Sequence, residues 1–279
     1  MELNFLQSIL FGLISGIAEI LPVSAQAHKV IMLKIFGAGS EPGLLRLILH
    51  MSALAGLYYG CHSHITRMLR AQKMAKRAKS SRRRPLDMRS VMDLSLIKTT
   101  VIPVILGFLF YSKLVPFAEN MTVIAVFLFL NGVVLYVPQF LPGSNRDSRS
   151  MSRVDGLLLG LGGALSTVPG LSCTATVTSI GSVRGAESGY GFGIALLVQI
   201  PVTIGLILYD LAALANTGMG TMSFGILIGY LMAAAACFAG VVFAIKLMQK
   251  LAESIGFSFF AMYCWGAALF TFIFYLTAA

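Results

Sequence analysis

Apolar residues run along this chain in long unbroken stretches, without the periodicity of a surface helix or a half-buried strand. Continuous runs at 44–61, 97–113, 121–138, 190–211, 222–245 and 257–277 approach or exceed the length needed to span ~30 Å of hydrocarbon at ~1.5 Å per residue. They predict six transmembrane helices. Two further apolar regions, 4–36 and 154–183, are interrupted in the middle by Pro22 and by Pro169-Gly170. A proline inside a helix removes a backbone donor and clashes with the preceding turn. Each region is therefore expected to form two short helices that enter the membrane, turn, and leave on the side they entered. Irregular backbone at that depth is tolerated only where it is buried in protein or lines a cavity.

The charged residues orient these elements. The formal net charge is +10. Arg67, Arg70, Lys73, Lys76, Arg77, Lys79, Arg82, Arg83, Arg84 and Arg89 fall within 62–96, and Arg146, Arg149 and Arg153 in the next long polar segment. If 62–96 is cytoplasmic and 154–183 is re-entrant, both groups and the pair Lys246 and Lys250 share the cytoplasmic face, as positive-inside topology requires. A single crossing by 154–183 would put Lys246 and Lys250 outside. The same count divides the chain into halves, 1–139 and 140–279, each a broken hairpin followed by three spans and facing opposite ways. The predicted fold class is an all-α polytopic membrane protein with an inverted repeat, whose two breaks meet near the midplane.

Composition agrees: 57% of residues are hydrophobic and 11% charged, against about 25% charged in soluble domains. The basic segments are expected to meet anionic lipid headgroups. With no aromatic interleaving or reader motif, nucleic acid is excluded as a partner. Cys61, Cys173, Cys237 and Cys264 are widely spaced and imply neither a disulfide framework nor a thiolate metal site. No well-placed cleavage signal follows the first apolar run, so residues 1–20 are expected to belong to the fold. Gly12 with Gly16, and Gly156 with Gly160, supply small-residue faces for close helix packing before each break.

Polar chemistry gathers at the breaks. The first carries Glu19, Ser24 and His28, the second Ser172, Thr174 and Thr176 around Cys173. An ionisable residue within a membrane is usually there for a substrate, an ion or a proton. Brought together, Glu19, Ser24 and His28 could do acid–base or nucleophilic work on a phosphoryl group, or bind a proton and a substrate in a transporter. Purely structural roles compete: Glu19 as a cap on broken backbone, Ser24 as the N-cap of the resuming helix. The hydroxyls and free N–H groups after Gly170 form an anion nest. Neither turn contains Lys or Arg, although a transferred phosphoryl group normally meets a positioned cation or metal. Asn131, Gln199, Lys98 and Asp210 are polar groups at or inside span ends, and Lys98 and Asp210 are expected to snorkel or to mark boundaries.

At these residues, GLISGIAEILPVSAQAH and VPGLSCTA, the chain resembles the bacterial undecaprenyl-diphosphate phosphatase family of the BacA type. Its members show a glycine-rich helix with two glutamates, then Leu-Pro-Val-Ser-Ser-x-x-His, and later Pro-Gly-x-Ser-Arg-Ser-Gly. The resemblance extends over nearly the whole chain, including the spacing from Pro169 to Pro201 and the ending Phe260-Ala-Met-Tyr263. It implies two re-entrant hairpins plus six spans in the bacterial inner membrane, and a homodimer. It also implies removal of the terminal phosphate from a C55 polyprenyl diphosphate with Mg²⁺ or Ca²⁺. The second motif glutamate corresponds to Glu19, which would also hold the metal, the first serine to Ser24 and the histidine to His28. These three are the catalytic residues if the chain is an enzyme.

Other family positions differ. The first glutamate falls on Ser15, the second serine of the Ser-Ser pair on Ala25 and the arginine between the later serines on Cys173, flanked by Ser172 and Thr174. The arginine expected after Tyr263 is Cys264, and a glutamate expected near the next span is Gly193. Losing one positioned donor costs about 10²–10³ in rate, and His50 is a candidate for compensation. Two function classes follow. The favoured one is a transporter or polyprenyl-phosphate-binding protein, or a carrier of a small solute, with Ser15, Gly170, Ser172, Cys173 and Thr174 at the ligand. The alternative is the diphosphatase itself.

Overall fold

The structure, a computed structural model, describes residues 3–78, 87–141, 145–147, 149–218, 223–254 and 257–278. Its elements in chain order are α1 (Phe5–Ile20), α2 (Ala25–Ile35), α3 (Gly43–Ala78), α4 (Met88–Leu114), α5 (Met121–Tyr136), α6 (Arg153–Leu165), α7 (Cys173–Val183), α8 (Ser188–Thr217), α9 (Phe224–Ser254) and α10 (Ser258–Ala278). Among the described residues, six helices are long and apolar enough to cross a membrane: α3, α4, α5, α8, α9 and α10. They carry the six predicted spans, and the chain is an all-α, multi-pass membrane protein. The two proline-broken regions form the short pairs α1–α2 and α6–α7.

The stretch 62–96, expected as a basic loop, is helical on both sides of its centre. Helix α3 continues to Ala78 and α4 begins at Met88. Arg67, Arg70, Lys73, Lys76 and Arg77 therefore lie on the last turns of α3, while Lys79, Arg82, Arg83 and Arg84 lie outside the described residues. The extension is built from good helix formers, and Met68 and Ala71, three residues apart, are buried along one side of it. Polarity marks where the membrane ends, and a helix whose stripe still packs need not end there.

Packing interleaves the two halves. Helix α1 lies along α9 and α6 along α4, while α5 packs on α10 and α3 on α8. The glycine faces make the first two contacts. A Cβ on Gly12 would fall on the Ala233 carbonyl, and one on Gly16 on the Cys237 carbonyl, both backbone atoms of α9. A Cβ on Gly160 would strike the backbone of Thr100 in α4. Without a hydrophobic force between helices in lipid, such backbone approach supplies van der Waals contact.

Both short pairs have their outer ends close together. Asp155, at the start of α6, caps that helix with Ser152 and accepts from Arg184 Nε, one residue past α7. Arg146 adds a longer contact to the same carboxylate, at 3.4 Å. Leu3, Phe5 and Ser8 at the start of α1 share a cavity of about 260 Å³ with Leu33, Ala38 and Ser40 at and beyond the end of α2. The outer surface is apolar, with Leu109, Phe110, Phe224 and Leu276 exposed.

Gly16→Val should lower stability in detergent by about 1–3 kcal/mol, since backbone cannot yield as a side chain can. Gly266, where a Cβ meets nothing within 4 Å, is the control: Gly266→Ala should be neutral or stabilising by roughly 0.5–1 kcal/mol, through helix propensity. Thermal unfolding of the two variants checks the contrast.

A polar cavity where the two helix breaks meet

Each break is closed by hydroxyl residues standing in for lost helix. At the first, α1 ends with the Leu21 amide on the Ile17 carbonyl. Ser24 then takes φ 67°, a left-handed conformation rare for a residue other than glycine, and caps α2 by accepting from the Ala27 amide at 3.4 Å. At the second, Ser166 Oγ and Thr167 Oγ1 donate back to the carbonyls of Gly163 and Ala164, at 2.7 and 2.8 Å. Gly170 follows at φ 99°, where a Cβ would press on Phe127 and the Ile124 carbonyl. Ser172 then caps α7 through the Ala175 amide, as Ser24 caps α2.

The two breaks touch. Asn131, buried in the middle of α5, donates from Nδ2 to the Pro22 carbonyl at 2.9 Å, and its Oδ1 accepts from the Ser172 amide, also at 2.9 Å. Ser172 Oγ donates to the Leu21 carbonyl at 3.3 Å. One carboxamide thus satisfies an orphan acceptor on one turn and an orphan donor on the other.

Beside this junction lies a cavity of about 90 Å³. Glu19, Lys29, Arg46, His50, Tyr111, Ser166, Thr167, Ser172, Cys173 and Gln199 contribute to its wall, from six helices and the second break. Gln199 Nε2 donates to Glu19 Oε1 at 2.7 Å, and its own Oε1 is buried with no partner. Lys29 Nζ donates to both oxygens of Glu41, at 3.2 and 3.1 Å. Asp210 on α8 accepts from Arg46 Nε through one oxygen and meets His50 Nδ1 with the other, each at 2.7 Å.

Of the residues singled out from the sequence, Glu19, His50, Ser172, Cys173 and Gln199 border this cavity. Ser24 and His28 are not on its wall. The ring of His28 contacts the Ser24 carbonyl through Nδ1 and the Tyr263 hydroxyl through Nε2, and stacks on the Tyr263 ring. Ser24 and His28 thus meet each other, while Glu19 is held by Gln199. Ser15 is buried and donates to the Phe11 carbonyl at 2.6 Å. Gly170 packs on α5, and Thr174 is buried within α7, its carbonyl accepting from Thr178.

Two expectations need correction. Asp210 does not snorkel to the surface: its side chain is 2% exposed and paired on both oxygens. Nor does the site lack fixed cations. The turns contain none, but Lys29 and Arg46 reach the same cavity from α2 and α3. The signal for Arg46 and His50 was present as a polar pair at i, i+4 opening an apolar run, since that spacing puts both on one helix face. For a resident metal the fit is poor. Glu19 is the one carboxylate on the wall, and among the described residues no group of three His, Cys, Asp or Glu could hold an ion.

Asn131→Ala should strand the Pro22 carbonyl and the Ser172 amide in a buried site, at roughly 1–3 kcal/mol for each group. The thermal midpoint should fall far more than for Asn120→Ala, which removes only the side-chain cap of α5, worth typically ~1 kcal/mol.

Comparison with known proteins places this architecture. The family described as bacitracin resistance protein BacA matches residues 8–270. The chain is similar to an undecaprenyl-diphosphatase of Methanobrevibacter smithii, 27% identical over 97% of this chain and 98% of the relative. It is also similar to undecaprenyl-diphosphatase 1 of Shouchella clausii, 28% identical over 98% and 97%. An undecaprenyl-diphosphatase of a Nocardioides species is 29% identical over 76% of this chain and 77% of that protein. On a match that runs through both helix breaks and five spans and into the sixth, this chain belongs to the bacitracin resistance protein BacA family.

Proposed function

We propose that this chain binds the phosphate-bearing end of a polyprenyl carrier lipid in the cavity at the two breaks, as a binding or translocating protein of the bacterial inner membrane. The observation that carries this reading is the junction itself: two interrupted helices stapled by Asn131 beside a polar cavity that Lys29 and Arg46 border. Family membership supports the lipid, since the relatives are named for undecaprenyl diphosphate. The apolar outer surface supports an approach of the prenyl chain from the membrane.

The inverted repeat belongs to the same proposal. Exchanging the halves maps the α1–α9 contact onto α6–α4, and leaves α3–α8 and α5–α10 in place. The link from Asp155 to Arg184 supports a second hairpin that leaves where it entered. Two opposed hairpins around one central site suit alternating access. In this arrangement 1–139 and 140–279 are the repeat units, and the basic end of α3 and exposed Arg149 and Arg153 face the cytoplasm and its anionic lipids.

Binding without efficient hydrolysis follows from the wall. Ser15 is turned onto its own helix, and Cys173 brings no charge, so Glu19 stands as the single carboxylate. The relatives' named activity and one local feature favour a second reading, hydrolysis of the diphosphate: Asp210 fixes His50 by Nδ1, the arrangement that orients a general base. A divalent ion in that reaction would arrive with the substrate phosphates, as Mg²⁺ commonly does, and Glu19 could meet it.

Purified protein in detergent should bind undecaprenyl phosphate saturably and release little inorganic phosphate from undecaprenyl diphosphate, with or without Mg²⁺ or Ca²⁺. Rapid, divalent-dependent release that Glu19→Gln reduces by about 10²-fold or more would replace the first reading with the second. Absence of saturable binding by well-folded protein would remove both.

A further inference from the structure

The charged cluster formed by Arg46, Asp210 and His50 does more than neutralise a buried carboxylate. Resting on the phosphate-binding reading above, we infer that Arg46, held edge-on by Asp210, is the group that grips the phosphate in this cavity, with Gln199 Oε1 accepting a hydrogen bond from the phosphate's O–H.

Three features lead there. First, the hydrogen bond of Arg46 to Asp210 engages Nε alone, and among the described residues neither Nη group has a protein partner. A guanidinium presents five donors in a rigid plane and stays charged. Anchoring by Nε therefore points the chemistry outward, with four N–H bonds left for a ligand. Lys29 differs, since its ammonium already serves both oxygens of Glu41.

Second, Asp210 is shared. His50, one turn beyond Arg46, meets its other oxygen through Nδ1, and the carboxylate is 2% exposed. A buried carboxylate is costly unless paired and hydrogen-bonded on both oxygens. Two partners at right spacing on one helix face fix the position of Asp210, and Asp210 in turn fixes the plane of Arg46. Arg46 keeps 25% of its side chain accessible, on the wall of the cavity. Asp210 is thus a positioning residue and Arg46 the binding one.

Third, Gln199 is 5% exposed, lies on the same wall, and holds a buried Oε1 with no hydrogen-bond partner. An unsatisfied buried acceptor costs free energy until a donor arrives. Its Nε2 is committed to Glu19, so the orphan oxygen asks for an O–H or N–H from the ligand. A phosphate monoester carrying one proton supplies both requirements, acceptor oxygens for the guanidinium fork and one O–H for Gln199. The same chemistry would suit the end of a prenyl phosphate or free inorganic phosphate.

The test is binding of radiolabelled undecaprenyl phosphate to wild-type protein, Arg46→Gln, Arg46→Lys and Asp210→Asn in detergent. Competitor arms contain inorganic phosphate or unphosphorylated undecaprenol. Arg46→Gln should weaken binding about 10- to 100-fold, the loss expected for a charge-assisted contact. Arg46→Lys, which keeps the charge opposite Asp210 and guards against loss of fold, should fall between, because it lacks the fork. Asp210→Asn should lower the unfolding temperature, because Arg46 loses its charge partner, and should weaken binding in protein that is still folded at the assay temperature. Undecaprenol should compete equally with every variant, as it never meets Arg46. Displacement by inorganic phosphate as effective as by unlabelled lipid would support the grip and make the free anion the ligand. Wild-type binding that Arg46→Gln leaves unchanged would overturn this inference and leave the phosphate-binding reading standing. No wild-type binding would overturn both.

Discussion

Everything in this molecule depends on where the broken backbone at Pro22 and Pro169 finds its hydrogen-bond partners. In a soluble protein, water would serve those groups. Within hydrocarbon each must be met by protein. Asn131 does so for both turns at once, its carboxamide offering one donor and one acceptor in fixed geometry to the Pro22 carbonyl and the Ser172 amide. An apolar side chain at this position could serve neither. The bridge also ties the first half of the chain to the second at the place where polar groups face a cavity.

Close helix contact makes that junction possible. Glycines on α1 and α6 let these short helices lie directly on the backbones of α9 and α4, so the breaks are carried to the interior by rigid neighbours. Serine completes the design on each side. Ser24 and Ser172 restart their helices by capping the third residue on, and Ser24 does so from a backbone conformation that glycine would adopt more easily. Keeping a serine there trades local strain for a satisfied amide at the start of α2.

Charge follows the same economy of partners. Lys29 with Glu41, and Arg46 with Asp210 and His50, are ion pairs made between different elements, since an unpaired charge at this depth would be far more costly than a paired one. Lys29 spends its ammonium on its partner, whereas Arg46 spends one N–H and retains the rest. That difference separates a stabilising pair from one able to meet an anion, and it arises from guanidinium geometry rather than from net charge.

Six spans, two broken pairs, the glycine faces and the capping role of Ser24 were all legible in the sequence, because each is a local consequence of chain length, proline chemistry and helix spacing. The prominence of Glu19, Ser172 and Cys173 was legible too, since polar residues are conspicuous in apolar surroundings. Local pattern could not say that α3 would continue to Ala78, because a polar stretch can be helical when one stripe still packs. Nor could it say that His28 would meet Tyr263, because the direction of a side chain after a break depends on what packs against it. Above all, Arg46 and His50 lie far along the chain from Asp210, and only the packing of α3 on α8 makes the three one cluster beside the cavity. The chain alone determined where the membrane helices and their interruptions fall; tertiary contact decided which charges meet, and a buried charge is defined by its partners.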